Sequence, residues 1–299
     1  MHLQTSAVHM LIYITIVLWL ISTLPLGKNG CWKRRCFFLG GLVMPIAFVL
    51  RWIDLGHVPL QNLFDVFLAL GVVVAPLWRF CERFLMQTTA VGCRLWAVGA
   101  ADVSCGTSCD ESSVAPTAHS LQPTAAPLMS HSAATMAGVC VLIPAGFVFN
   151  ADPQPLPPAL QSPLFVPHVG TYMLAYMILL LAGLTAAKQL LAPAGQAKQL
   201  EQLSSRMVRL GFPLLTLGLL LGAVWGKRCW GDYWNWDPKE LWSFATWLTF
   251  AAYLHWRSWQ GPRFAKTNAV LILLGVACVI LTLLWVNLSR LFPGLHAYA

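Results

Sequence analysis

The sequence predicts an all-α integral membrane protein, a polytopic bundle of about eight transmembrane helices with a tryptophan-rich loop outside the cytoplasm. Three observations predict it. Of 299 residues, 58% are hydrophobic and only 10% charged, against about 25% charged in soluble domains. Eight apolar segments recur, approximately 9–26, 37–53, 62–81, 136–150, 168–191, 208–226, 241–257 and 268–289, most of them near the roughly 20 residues needed to cross about 30 Å of hydrocarbon. The Lys and Arg residues gather in the short connections between these segments.

Each apolar segment is expected to be helical, because lipid offers no partner for open backbone groups. The first has no basic stretch before it and no small-residue cleavage site after it, so it is expected to be a retained span. The fourth is short for a full crossing. With eight spans, five of the 19 Lys and Arg (Arg51, Lys227, Arg228, Lys239 and Arg290) fall in one set of loops, and the remaining fourteen in the other. The positive-inside rule puts the larger set in the cytoplasm. Both termini and the tryptophan-rich loop then lie on the extracytoplasmic side of the cell inner membrane. The net charge of +8 is thus a topology signal, and nucleic acid is not an expected partner.

The spans divide into three in 1–83 and five in 136–299, separated by a Ser/Ala/Pro-rich cytoplasmic linker over 84–135. From Gly106 to Thr135 the chain has too few large apolar residues to bury a core and reads as disordered. A ninth span over 90–101 is rejected: it would contain Arg94 and invert every earlier loop. Cys105, Cys109, His119 and His131 match no zinc spacing. The nine cysteines include no Cys-x-x-Cys pair and no Cys-x-x-Cys-His box. On this topology only Cys229 faces the oxidising side, leaving no internal disulfide to form there.

Six of the 14 tryptophans fall in 225–247: Trp225, Trp230, Trp234, Trp236, Trp242 and Trp247. An interfacial aromatic belt explains Trp225 and Trp247. It does not explain Trp230, Trp234 and Trp236 between two helices with Gly231, Asp232 and Asp237. Aromatic rings beside Lys227, Arg228 and Lys239 suit a large flat apolar ligand with acidic edges, and haem with its two propionates is such a ligand. Asp237, Pro238 and Glu240 also form a capping-box-like helix start, so Asp237 and Glu240 have a purely structural reading as well.

His168, at the start of the fifth segment, and His296, just beyond the eighth, fall on the same face as the tryptophan-rich loop. Two imidazoles flanking an aromatic shelf make a six-coordinate haem site. His255 lies about 22 Å down the seventh helix from Glu240. An ionisable residue at that depth is a functional candidate, and an interfacial His beside Arg257 is the alternative. His2, His9, His57, His119 and His131 carry no assignment.

The loop resembles the WWD signature, Trp-Gly-x-x-Trp-x-Trp-Asp, of the haem-handling proteins of cytochrome c biogenesis. Three further segments resemble its CcsA (ResC) branch. They are Gly56 to Asp65 with Pro59 and Asn62, Leu160 to Val169 with His168, and Gly294-Leu295-His296-Ala297-Tyr298. Two departures are Pro163-Leu164, where an aromatic usually precedes the first histidine, and the length of the 84–135 linker. The resemblance implies binding of haem b as substrate, its delivery across the membrane, and its covalent attachment to apocytochrome c. It further implies that His168 and His296 are the external axial pair, that Trp230, Trp234, Trp236 and Asp237 belong to the haem-binding loop, and that His255 ligates a second haem within the membrane. The implied partners are the bilayer, a CcsB (ResB)-type membrane subunit and an apocytochrome bearing Cys-x-x-Cys-His, the chain being one subunit of a cytochrome c haem lyase. No side chain offers itself as acid, base or nucleophile. A CcmC-like protein, passing haem to a chaperone without forming thioether bonds, is the alternative.

Overall fold

In the computed structural model the described residues are 6–24, 31–103, 131–285 and 294–296, and they hold eight α-helices and no strand. The helices are α1 (Ala7–Thr23), α2 (Cys31–Leu55), α3 (Leu63–Val103), α4 (His131–Phe147), α5 (Phe165–Leu191), α6 (Ala194–Trp230), α7 (Pro238–Gln260) and α8 (Ala265–Ile280), the last running into a π-helical turn at Leu281–Trp285. Four helices are individually long and apolar enough to cross a membrane, as is the continuous stretch Pro238–Leu284 that holds α7 and α8. Ala7–Thr23 and Ala133–Phe147 are apolar but shorter. The chain is an all-α, multi-pass membrane protein.

Two helices overrun their apolar segments. α3 continues to Val103, so the expected linker is helical over residues 84–103. It gives way to α4 at His131 rather than at 136, and 104–130, with the Cys105, Cys109 and His119 spacing, lie outside the described residues. α6 begins at Ala194, some fourteen residues before the apolar run, because Leu200, Leu203, Ser204 and Met207 turn one buried face inward while Lys198 and Arg206 stay off it.

α1 to α4 pack as one group and α5 to α8 as another, joined through α3 and α4 against α5. Close approach depends on small residues, as is usual between membrane helices. The Trp19 ring, fully buried, lies where a Cβ on Gly40 or Gly138 would have to go, and its Nε1 donates to the Phe37 carbonyl at 3.0 Å. The helices alternate in direction, so the 56–62 turn, the 148–164 segment and the 231–237 loop gather at one end, called here the loop end.

At that end the Gly56 to Asp65 motif acquires a structural meaning. Gly56, at φ +71°, closes α2 through its N–H to the Trp52 carbonyl, a left-handed position that glycine tolerates. Asn62 caps α3, its Oδ1 accepting from the Asp65 N–H at 2.9 Å. Arg51 is not a loop cation: it lies inside α2 and donates to Asp65 at 3.0 Å, both side chains buried. His9, also buried, bonds Ser6 and packs on Phe64.

Candidate functional site

The loop end contains a cavity of about 160 Å³ lined from α5 by His168, Tyr172 and Tyr176, from α6 by Gly222 and Trp225, and from the loop and α7 by Trp234, Lys239 and Ser243. Asn62 forms part of its rim and His296 closes it. His168, Tyr172 and Tyr176 stand at positions i, i+4 and i+8, one face of α5. α6 meets that face with Gly218, Gly222 and Trp225, at i, i+4 and i+7. A Cβ on Gly222 would lie 2.5 Å from His168 Cε1, so only glycine lets the imidazole rest against α6.

His168 Nδ1 lies 2.9 Å from the Gly218 carbonyl oxygen. That oxygen only accepts, so Nδ1 carries the proton and Nε2 keeps its lone pair. His296 repeats the device, with Nδ1 donating to Asp237 Oδ1 at 3.0 Å. Asp237, 5% exposed, also accepts from the Lys239 N–H at 2.8 Å, while Glu240 accepts from the Asp237 and Asn235 N–H groups. It therefore caps α7 and holds His296 at once. Burial pushes its carboxyl up, but the His296 hydrogen bond, with the Lys239 and Leu295 N–H groups, outweighs this and holds it below the usual carboxylate range. It stays a carboxylate acceptor.

Trp225 is the centre of this arrangement. It is 2% exposed, stacks on His168 with centroids 5.7 Å apart and touches His296 at 5.6 Å. Its Nε1 donates to the Ala159 carbonyl at 3.1 Å. This corrects its expected place in an interfacial belt: ring packing from Leu60, Leu160 and Phe165 draws it inward. Trp247 is no belt residue either, stacking on Phe244 and donating to Thr216 Oγ1 at 2.9 Å in the α6–α7 contact.

The other expected residues separate. Trp230 meets His296 edge-on at 4.6 Å. Trp234 lines the cavity against Phe244, with a buried Nε1 that has no protein partner. Trp236 points away, 68% exposed, at φ 56°, a strained value for a bulky side chain. Of the loop cations, Lys227 is taken up by the Gly231 carbonyl and the Tyr233 ring. Lys239 reaches the cavity and donates to the His296 carbonyl at 3.3 Å. His255 is remote, exposed near the far end of α7, its Nδ1 donating to the Ala251 carbonyl at 2.8 Å. Sequence reasoning missed Trp225, Tyr172, Tyr176 and Ser243, although the four-residue spacing after His168 marked the α5 face.

Fold and site together define a multi-pass helical membrane protein with two oriented imidazoles and an aromatic wall at one end. The family model of the cytochrome C assembly protein matches residues 115–293. Proteins described as cytochrome c biogenesis protein CcsA are similar over nearly the whole chain. That of Prochlorococcus marinus (strain MIT 9313) is 30% identical over 97% of this chain and 90% of its own. That of Synechococcus sp. (strain RCC307) is 29% identical, over 97% and 91%. The chain belongs to the cytochrome c assembly family, as a CcsA-type cytochrome c biogenesis protein.

Proposed function

We propose that the protein binds haem b as a substrate between His168 and His296 and presents it for covalent attachment to apocytochrome c. One observation carries the reading: two histidines far apart in sequence converge on Trp225, each with Nδ1 fixed by an acceptor so that Nε2 can ligate. Metal-binding histidines are oriented in this way by outer partners. The aromatic wall of Trp225, Trp230 and Trp234 suits a macrocycle face, and Lys239 is the cation placed to meet a propionate. The cavity of about 160 Å³ is below the roughly 300–1,000 Å³ of small-molecule pockets, so binding requires the Trp225 and loop side to open.

The thioether step is an addition: each apocytochrome thiol forms a C–S bond to a haem vinyl carbon, and the hydrogen ends on the adjacent vinyl carbon. The chain contributes position and iron ligation rather than an acid or base. In this reading the loop end is extracytoplasmic and the chain resides in the inner membrane. His255, presenting Nε2 outward, ligates a second haem whose other ligand comes from a CcsB-type subunit.

The test is the absorption spectrum of the purified protein with His168→Ala and His296→Ala. Each should lose the six-coordinate bis-imidazole bands and synthesis, and added imidazole should restore part of both. Full synthesis by the double variant without imidazole would refute the proposal.

A further inference from the structure

At the end of the bundle opposite the cavity, Glu201 on α6 is a carboxylate only 1% exposed. Its Oε1 accepts from Arg257 Nε at 2.5 Å and Asn268 Nδ2 at 2.9 Å, and its Oε2 from Arg257 Nη2 at 3.2 Å. The forked guanidinium contact fixes direction as well as distance. Asn268 also donates to the Gly261 carbonyl at the α7–α8 turn. One carboxylate therefore ties α6, α7 and α8 together.

Thr246, Phe250 and Tyr253, all fully buried, form the inward stripe of α7, and Arg257 is its last member. Leu241, Leu248 and Trp259, at 48%, 47% and 81% exposure, form the outward stripe, and exposed Ala252 and His255 stand in it. Arg257 follows His255 by two residues, about 200° around the helix. Whatever turns Arg257 inward turns His255 out. Arg257 has no apolar reason to face inward, and Glu201 supplies the reason.

We infer that Glu201 is the positioning residue for His255: through Arg257 it sets the rotation of the last turns of α7 and so aims the His255 imidazole out of the bundle. The inference deepens the reading of His255 as a haem ligand and rests on it. Glu201 itself touches no ligand. Losing its charge leaves a buried guanidinium uncompensated, and α7 turns to carry Arg257 to the polar surface, taking His255 off its bearing.

The experiment uses the full chain and two readouts. With a CcsB-type subunit co-expressed, in a His168→Ala, His296→Ala background, retained haem reports the His255 site, and Glu201→Gln, acting one residue further out than a direct partner of the ligand, should lower retention by up to about tenfold. The charge swap Glu201→Arg with Arg257→Glu should restore much of it, since the Asn268 amide can turn its oxygen, now without a partner, toward Arg. Separately, a nitroxide on Trp259→Cys, with the other cysteines replaced, reports which way the stripe faces. It should be accessible to lipid-dissolved oxygen, less so after Glu201→Gln, and accessible again after the swap. Unchanged label accessibility and unchanged haem retention in Glu201→Gln would overturn the inference, as would a haem loss that the swap does not reverse with the label unmoved. If His255→Ala leaves retention unaltered, the haem reading fails, and the label alone decides for or against the role of Glu201.

Discussion

Asp237 has two tasks that substitution can separate. Its Oδ1 caps α7 through the Lys239 N–H and accepts the His296 Nδ1 proton. Asp237→Ala loses both: the cap is worth about 1 kcal/mol, and the charge-assisted bond to His296 about 1.5–3 kcal/mol. Asp237→Asn keeps an oxygen for the Lys239 N–H but gives His296 a neutral acceptor, with roughly half the strength of a charged one. Asn should therefore lie within about 1 kcal/mol of the native stability while weakening haem binding at the His168–His296 site by about 10–100-fold, as outer partners of metal-ligating histidines do. Ala should weaken both. Glu240→Ala is the control: it removes the reverse half of the capping box, from the Asp237 and Asn235 N–H groups, without touching the His296 bond. The assay is haem titration by Soret absorbance beside denaturant unfolding in detergent. If Asp237→Asn binds haem with native affinity and Asp237→Ala matches Glu240→Ala, Asp237 is a helix cap and nothing more.

Trp225→Ala should destabilise the fold by about 3–5 kcal/mol and abolish haem binding, whereas Trp236→Gly, relieving a left-handed backbone, should leave stability unchanged or raise it by about 1 kcal/mol; equal losses of stability would contradict the division between them. Gly222→Ala should cost about 1–3 kcal/mol by overpacking His168, and a double-mutant cycle with His168→Ala should recover most of that cost if the imidazole is the obstruction. Asp65→Leu alone should cost about 3–5 kcal/mol by stranding buried Arg51, while Arg51→Met with Asp65→Leu should be far milder. Thermal unfolding of both variants decides whether the pair matters for itself or only for mutual neutralisation.

The helices were legible because apolar length is a one-dimensional property. Their ends were not: the apolar run of α6 begins near 208, yet the helix starts at Ala194, since Leu200, Leu203 and Met207 bury a narrow stripe that an average over all faces hides. In the site, His168 and His296 were legible as residues at the right end, and the structure brings both to one cavity. Trp225 was misread because depth in the membrane is shared by every face of a helix turn. A ring turned to lipid and a ring turned inward have the same place in the sequence, and the deciding feature, the packing of Leu60, Leu160 and Phe165 around the ring, comes from segments remote in the chain. The Gly218 carbonyl and Asp237 as imidazole holders were unreadable for the same reason: each bond joins segments remote in the chain.

The distance along the chain between His168 and His296 has a consequence for synthesis. His168 enters the membrane with α5, but its counterpart follows α8, so three further helices must be threaded and returned before the second imidazole can reach Trp225. A nascent or misinserted chain thus has His168 in place without His296, and the cavity lining is incomplete. On the proposed reading, retention of haem between His168 and His296 would report that insertion has finished with α8 in the correct direction.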